Sequence, residues 1–249
     1  MSGHSKWAQI KRKKAAIDQK RGAVFSRYAK EIAMAARHGG ANPDANIRLR
    51  AVVDRAKAVS MPSENIERAI LRGSGQLPGV VYEEVVYEGY GPGGIAIIAE
   101  CFTDNRNRTI ASLRHAFTKC GGNMAETGAV AWMFDRAGLI LVDRAAHPDE
   151  NRVLEAALEA GAEDVETQEE QYQVRVDPAL VDGVTAGLDA AGIKVASAAV
   201  SLVPKNWVTP DSPAAIRAGM RLVEMLEEDD DVQNVYSNLE PPQEMMNDE

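Results

Sequence analysis

Apolar positions in the first third of the chain recur at helical spacing. Phe25, Tyr28, Ile32 and Ala36 lie three and four residues apart, one stripe of a helix that His38-Gly39-Gly40 should end. Asn42-Pro43-Asp44 is expected to cap the next helix, whose stripe is Leu49, Val52, Val53, Ala56 and Val59. Ser60-Met61-Pro62 breaks the pattern, and Ile66, Ala69 and Ile70 mark a third, shorter helix that stops at Gly73-Ser74-Gly75. Three stripes of this kind bury one another in a small three-helix bundle. Arg27, Lys30, Arg48, Arg55, Lys57, Arg68 and Arg72 fall largely off the stripes and should lie on its outside.

After residue 80 the period becomes strand-like. Two strands, 81–90 and 94–102, are expected around the turn Gly91-Pro92-Gly93, then a helix through Ile110, Leu113 and Phe117, and a strand over 128–134. From 138 to 203 the pattern reads β-α-β-β-α-β, the order of a ferredoxin-like domain. A helix over 212–228 and a strand over 232–236 would complete the earlier β-β-α-β segment into a similar sandwich. The fold class expected is therefore α+β: an N-terminal three-helix bundle (1–75) and two ferredoxin-like α/β sandwich domains. One sandwich (135–205) is inserted in the other (80–134 plus 206–240), and a polar tail (241–249) follows.

Composition sharpens this picture in two ways. Aromatic residues are only 5% of the 249, so the cores must be built mainly from Ala, Val, Leu and Ile. The net charge of −9 averages two opposite parts: residues 1–75 hold 16 Lys+Arg against 6 Asp+Glu, and the remainder 12 against 31. A basic end on an acidic body points to a polyanionic partner at that end, with the body restricting its approach. The start of the chain carries no secretory pattern and no long apolar run follows, so a cytoplasmic protein without a membrane contact is expected. Cys101 and Cys120 lack any metal or disulfide spacing and read as buried thiols. The four histidines are scattered, and no nucleophile–base pair or nucleotide fingerprint is present. No enzyme activity and no cofactor are expected.

Several short stretches carry a resemblance in order along the chain. They are Gly3-His4-Ser5-Lys6-Trp7, Arg21-Gly22, Asn42-Pro43 through Asn46-Ile47-Arg48-Leu49-Arg50, Met61-Pro62, Tyr87-Glu88-Gly89-Tyr90-Gly91-Pro92-Gly93-Gly94, Asp104-Asn105-Arg106-Asn107-Arg108-Thr109 and Arg114-His115-Ala116-Phe117. By these the sequence resembles the YebC family, bacterial proteins described as probable transcriptional regulators. The same family includes the mitochondrial translational activator of cytochrome c oxidase. Ser60 departs from the pattern, which has Asn before Met-Pro. The resemblance implies three domains, one nested in another, and nucleic-acid-associated regulation without catalysis. It leaves open DNA, in a transcriptional role, or ribosomal or messenger RNA, in a translational one.

The strongest candidate site is the basic arm. Lys6, Lys11, Arg12, Lys13, Lys14, Lys20 and Arg21, with Arg27 and Lys30 beyond, can neutralise phosphates and release counterions. Trp7 can stack on an unpaired base. The competing reading is a solvated basic helix with Trp7 packed on the bundle. A secondary contact is expected from Tyr90, Asn105, Arg106 and Arg108, the last three opening a helix. The plainer alternative there is helix capping by Asp104, Asn105 or Asn107. Besides nucleic acid, the expected partners are the ribosome or the transcription machinery. A purely protein-binding adaptor is a further alternative.

Overall fold

The computed structural model describes residues 21–242. Helix α1 (Arg21–Gly39), α2 (Ile47–Ala58) and α3 (Ser63–Gly73) form the N-terminal bundle. Its core is the set of stripes meeting: Tyr28, Ile32, Ala36, Leu49, Val52, Val53, Ala56, Met61, Ile66 and Ala69 are buried together, with Phe25 and Ile70 partly buried against them. Val59, expected on the second stripe, is instead 39% exposed, because α2 has already ended at Ala58.

The cap of α2 is Asn46 and not Asn42, which sits in a preceding turn. The Asn46 carboxamide accepts from Leu49 N–H at 3.0 Å and donates to the carbonyls of Ala35 and Gly40 at 2.9 and 2.8 Å. One buried side chain thus closes the end of α1 and opens α2. The Asn-Pro element supplies the turn and the following asparagine supplies the hydrogen bonds, which spacing alone did not separate.

The first sandwich has strands β1 (Glu83–Tyr90), β2 (Ala96–Thr103), β3 (Asn123–Ala125) and helix α4 (Arg106–Lys119). The chain then makes β4 (Phe134–Asp143), α5 (Glu150–Ala160), β5 (Asp164–Thr167), β6 (Gln171–Val176), α6 (Val181–Ala190) and β7 (Val195–Pro204). It returns to the first sandwich with α7 (Pro213–Glu228) and β8 (Val232–Ser237). Among the described residues the chain divides into two compact units, with breaks after Met133 and after Lys205.

The first sheet has the order β3-β1-β2-β8 with every neighbour antiparallel. Ile97, Ala99 and Cys101 alternate inward and pack under α4 and α7, which contribute Leu113, Phe117, Ile216, Met220, Val223 and Leu226. A Cβ on Gly89 would lie 2.5 Å from the Phe117 ring and 2.7 Å from the Asn123 carbonyl, so the helix can seat this low only over glycine. The inserted unit has the order β5-β6-β4-β7, the strand order of a ferredoxin-like sheet. Its core joins Ile140, Val142, Tyr172, Val174 and Val176 to Val153, Ala157, Val184 and Leu188 of α5 and α6.

The strand expected over 128–134 is a correction. Residues 128–130 form a loop, a short 3₁₀ turn spans Ala131–Met133, and the strand begins only at Phe134. The loop's backbone N–H groups are taken by a side chain of β1 instead of by a neighbouring strand.

Among the described residues Ser60 alone of the non-glycine positions has positive φ, 61°. This is the left-handed region, which asparagine and glycine tolerate better than serine. Here a departure from the family pattern coincides with local strain. Ser60→Asn and Ser60→Gly should each stabilise the bundle, by roughly 0.5–1 kcal/mol. Urea unfolding followed by circular dichroism would measure it, and a loss of stability in both variants would contradict it.

Candidate nucleic-acid interface

Lys6, Trp7, Lys11, Arg12, Lys13, Lys14 and Lys20 lie outside the described residues, and Arg21 enters only as the first residue of α1. What the structure does describe is the bundle that follows the arm. Arg37, Arg48, Arg50, Arg55, Lys57, Arg68 and Arg72 are exposed on it. Arg50, Arg55, Lys57 and Arg68 pair with Asp44, Glu31, Asp54 and Glu64. Arg37 donates to the Tyr82 carbonyl at 2.9 Å. Arg48 and Arg72 have no ion-pair partner among the described residues. Exposed pairs are worth at most about 1 kcal/mol each, so these guanidinium groups remain exchangeable to another anion.

Arg27 and Lys30 are corrections: they do not decorate the outside. Lys30 is 8% exposed, and its ammonium donates to Asp231 Oδ1 at 2.6 Å and to the Asp230 carbonyl at 2.8 Å. Arg27 Nη2 donates to the Asp229 carbonyl at 3.1 Å, while its Nε is buried without a partner. Burial lowers the Arg27 pKa against the opposing pull of Glu227, Asp230, Asp229 and Glu228. The acidic run after α7 therefore occupies the two cations that α1 turns toward the sheet. Both residues are committed to joining the bundle to the first sandwich.

The centre of that junction is the Asp231 carboxylate. Besides Lys30 it accepts from Arg108 Nη2 at 2.8 Å, Thr109 Oγ1 at 2.8 Å and Thr103 Oγ1 at 3.3 Å. Burial alone would raise its pKa, but the hydrogen bonds from Lys30, Arg108 and Thr109 outweigh it and hold the carboxyl below the usual aspartate range. An open cleft of about 540 Å³ runs beside this hub, lined among others by Arg72, Tyr82, Asp104 and Arg108. A narrower one of about 100 Å³ brings Arg27, Arg48 and Arg55 together with Glu31, Glu84 and Glu100. Neither cleft is uniformly basic.

The secondary residues each have an internal task. Asn105 caps α4 by accepting from Arg108 N–H at 3.1 Å, so the capping alternative holds there. Arg106 donates to Glu83 at 2.7 Å, and Arg108 divides its guanidinium between Asp104 and Asp231. Its bonds to these two carboxylates raise the Arg108 pKa further. Tyr90 Oη donates to the Ala129 carbonyl at 2.9 Å. Sequence reasoning missed Asp231, Thr103 and Thr109 as partners of this group. Asp231 lies at the end of a run, Glu224–Asp231, that composition alone marks as a solvated face, and no local spacing distinguishes it.

The two thiols are free and buried, and burial raises both of their pKa values, which leaves them poor nucleophiles. No described helix is long and apolar enough to cross a membrane.

A basic helical bundle locked by a buried ion-pair hub to a four-stranded α/β sandwich, into whose chain a ferredoxin-like sandwich is inserted, defines a distinct class of three-part α+β protein. The chain belongs to the TACO1/YebC family. The model of the TACO1/YebC protein N-terminal domain matches residues 5–76, and that of the TACO1/YebC second and third domain matches residues 82–239. A probable transcriptional regulatory protein of Geobacter sulfurreducens is 52% identical over 240 residues, 96% of each chain. One from Dictyoglomus turgidum is 51% identical over 246 residues, 99% of this chain and 98% of the other. The crystal structure of a conserved hypothetical protein from Aquifex aeolicus matches with a TM-score of 0.86 at 44% identity, covering 96% of this chain and 98% of that one.

The hub makes a testable demand. Removing the charge of Asp231 strands Lys30 and half of the Arg108 pairing, so Asp231→Asn should destabilise the protein by about 3 kcal/mol. Because the folded pKa is lowered, this contribution is fully present above the unfolded value of about 3.9 and is lost as pH falls through the folded value. Urea midpoints measured between neutral and acid pH should therefore fall in the wild type below that value. The Asp231→Asn variant should lose this component of the acid dependence, and parallel profiles would contradict the assignment.

Proposed function

We propose that this chain is a cytoplasmic, non-enzymatic regulator of gene expression that binds nucleic acid through its basic helical domain. The observation that carries this is the partition of charge, 16 Lys+Arg against 6 Asp+Glu in residues 1–75 and 12 against 31 in the rest. It is supported by the exposed guanidinium groups of Arg48, Arg50, Arg55, Arg68 and Arg72 on the bundle. Affinity then comes mainly from phosphates, is independent of base sequence and falls with salt. The names of the Geobacter and Dictyoglomus relatives, probable transcriptional regulatory proteins, favour DNA as the target. The remaining cations would dock the phosphate backbone, which the acidic remainder of the chain would repel.

One observation favours RNA as a second reading. The outward face of α3 carries Glu64 and Glu67 beside Arg68 and Arg72. Carboxylates there suit a recognition helix in a DNA major groove poorly, because they would approach the flanking phosphates. A phosphate-tracking arm with an aromatic residue is equally suited to structured or single-stranded RNA, as a translation factor at the ribosome would require.

Crosslinking in cells with sequencing of both bound DNA and bound RNA separates the two, using a variant with Lys11, Arg12, Lys13 and Lys14 replaced by Ala. Promoter enrichment lost in the variant is expected for the transcriptional role, and ribosomal RNA enrichment lost in the variant for the translational one. Enrichment of neither overturns the proposal. In vitro, log K should fall with log salt at a slope of roughly −5 if about six phosphates are contacted. Arg48→Ala with Arg72→Ala should reduce that slope by about two.

A further inference from the structure

The bundle carries a cleft of about 320 Å³ between α1 and α3 that phosphate contacts alone do not use. The two helices touch at one end of it, where a Cβ on Gly73 would lie 2.2 Å from the Ala33 carbonyl. Toward the start of α1 the lining positions are small, Gly22, Ser26 and Ala29 at spacings of four and three, so no side chain fills the gap. Phe25, Met61 and Ala69 add apolar lining, and Tyr82 adds a second aromatic ring. Tyr82 is fixed to the bundle from outside it. Arg37 donates to its carbonyl at 2.9 Å, and the Lys30 ammonium lies 5.7 Å from its ring centroid. The polar lining comes from one face of α3, where Asn65, Arg68 and Arg72 are three and four residues apart. Asn65 is half-buried, and its carboxamide makes no hydrogen bond among the described residues. Arg68 is held only by the exposed Glu64.

An apolar slot with two aromatic rings, one amide and two guanidinium groups has the chemistry of a nucleobase site. A base stacks its face on an aromatic ring, pairs its edge with a polar side chain and brings a phosphate that needs a cation. A carboxamide sets a donor beside an acceptor, the complement of adenine N6 and N7. A hydrophobic side chain of a protein partner would instead strip water from the Asn65 carboxamide and give nothing back. Charge agrees with a strand of phosphates. Gly22 follows Lys20 and Arg21 directly, so the cations of the arm join the bundle at this cleft. The larger cleft beside the hub shares Ser26, Ala29, Arg72 and Tyr82 with it but adds Asp104, Asp229, Asp230 and Asp231. Those carboxylates repel phosphates from that side and leave the Arg68 side to them.

We propose that the cleft between α1 and α3 receives one unpaired nucleobase of a single-stranded nucleic acid. Phe25 and Tyr82 offer the rings, Asn65 selects adenine through a pair of hydrogen bonds, and Arg68 and Arg72 hold the adjoining phosphates. The site rests on the nucleic-acid reading of the basic domain and adds to it a demand for an unpaired strand and a preferred base.

The test uses the full chain and three labelled probes of equal length, oligoadenylate, oligouridylate and a DNA duplex, titrated by fluorescence anisotropy. Ser26→Leu fills the cleft from an exposed position, so a folding defect does not obscure the outcome, and Asn65→Ala removes the carboxamide. The wild type should prefer oligoadenylate to oligouridylate. Ser26→Leu should weaken both single strands about fivefold or more, the lower end of what a base stack contributes, and leave the duplex unchanged. Asn65→Ala should bring oligoadenylate down to the affinity of oligouridylate. Single-strand binding by Ser26→Leu equal to the wild type overturns the proposal, as does an equal loss on the duplex, whose bases are paired. The nucleic-acid reading still stands in either case if replacing Lys11, Arg12, Lys13 and Lys14 by Ala abolishes binding of all three probes. Equal affinity of the wild type for the two single strands overturns the choice of adenine. Adenosine monophosphate binding as tightly as oligoadenylate overturns the strand as the source and makes a free nucleotide the ligand. Binding of no probe at low salt overturns both readings.

Discussion

A buried carboxylate with four side-chain donors holds the N-terminal bundle to the first sandwich. Asp231 follows α7 directly, yet its partners come from α1, the end of β2 and the start of α4. Taking an aspartate out of water is favourable only where donors replace the lost solvent, and a lysine, an arginine and two threonine hydroxyls do so here. The consequence reaches beyond stability. By consuming Lys30, and with its neighbour Asp229 consuming Arg27, the hub separates these two cations from those the bundle leaves exposed.

That division gives the charge asymmetry a structural meaning. A basic bundle beside an acidic body would attract the body's surface wherever it could reach it. At the junction with the first sandwich, the attraction between Lys30 and Asp231 is satisfied by specific geometry. Arg50, Arg55 and Arg68 sit in exposed pairs, where solvent screening keeps each pair weak and exchange for phosphate costs little. Two carboxylates of this fold, Asp231 and Glu88, are buried, ionised and fully supplied with donors, one fixing a domain junction and the other a loop.

Much of the architecture was legible in the order of the residues. The stripes of the bundle, the β-α-β-β-α-β pattern of the inserted sandwich and the return of α7 and β8 to the first one all follow from periodicities of about 3.6 and of two. These are local signals, set by which side chains must leave water together. The strand expected at 128–134 failed because the N–H groups of this apolar stretch are taken by a side chain and not by a neighbouring strand. Glu88, forty residues earlier in the chain, supplies the acceptors for its N–H groups.

The sequence by itself determined the helical and strand-forming segments, the nesting of one sandwich in the other, the basic and acidic halves and the family to which the chain belongs. Only the tertiary structure decided which charged residues are spent internally. Arg27 and Lys30 have the same local pattern as Arg48 and Arg72, and nothing within a helix turn separates them. The difference arises some 200 residues away in the chain, where the fold brings Asp229 and Asp231 against α1. Coulomb attraction and desolvation depend on distance in space and on burial, and neither is written in the spacing of residues along the chain.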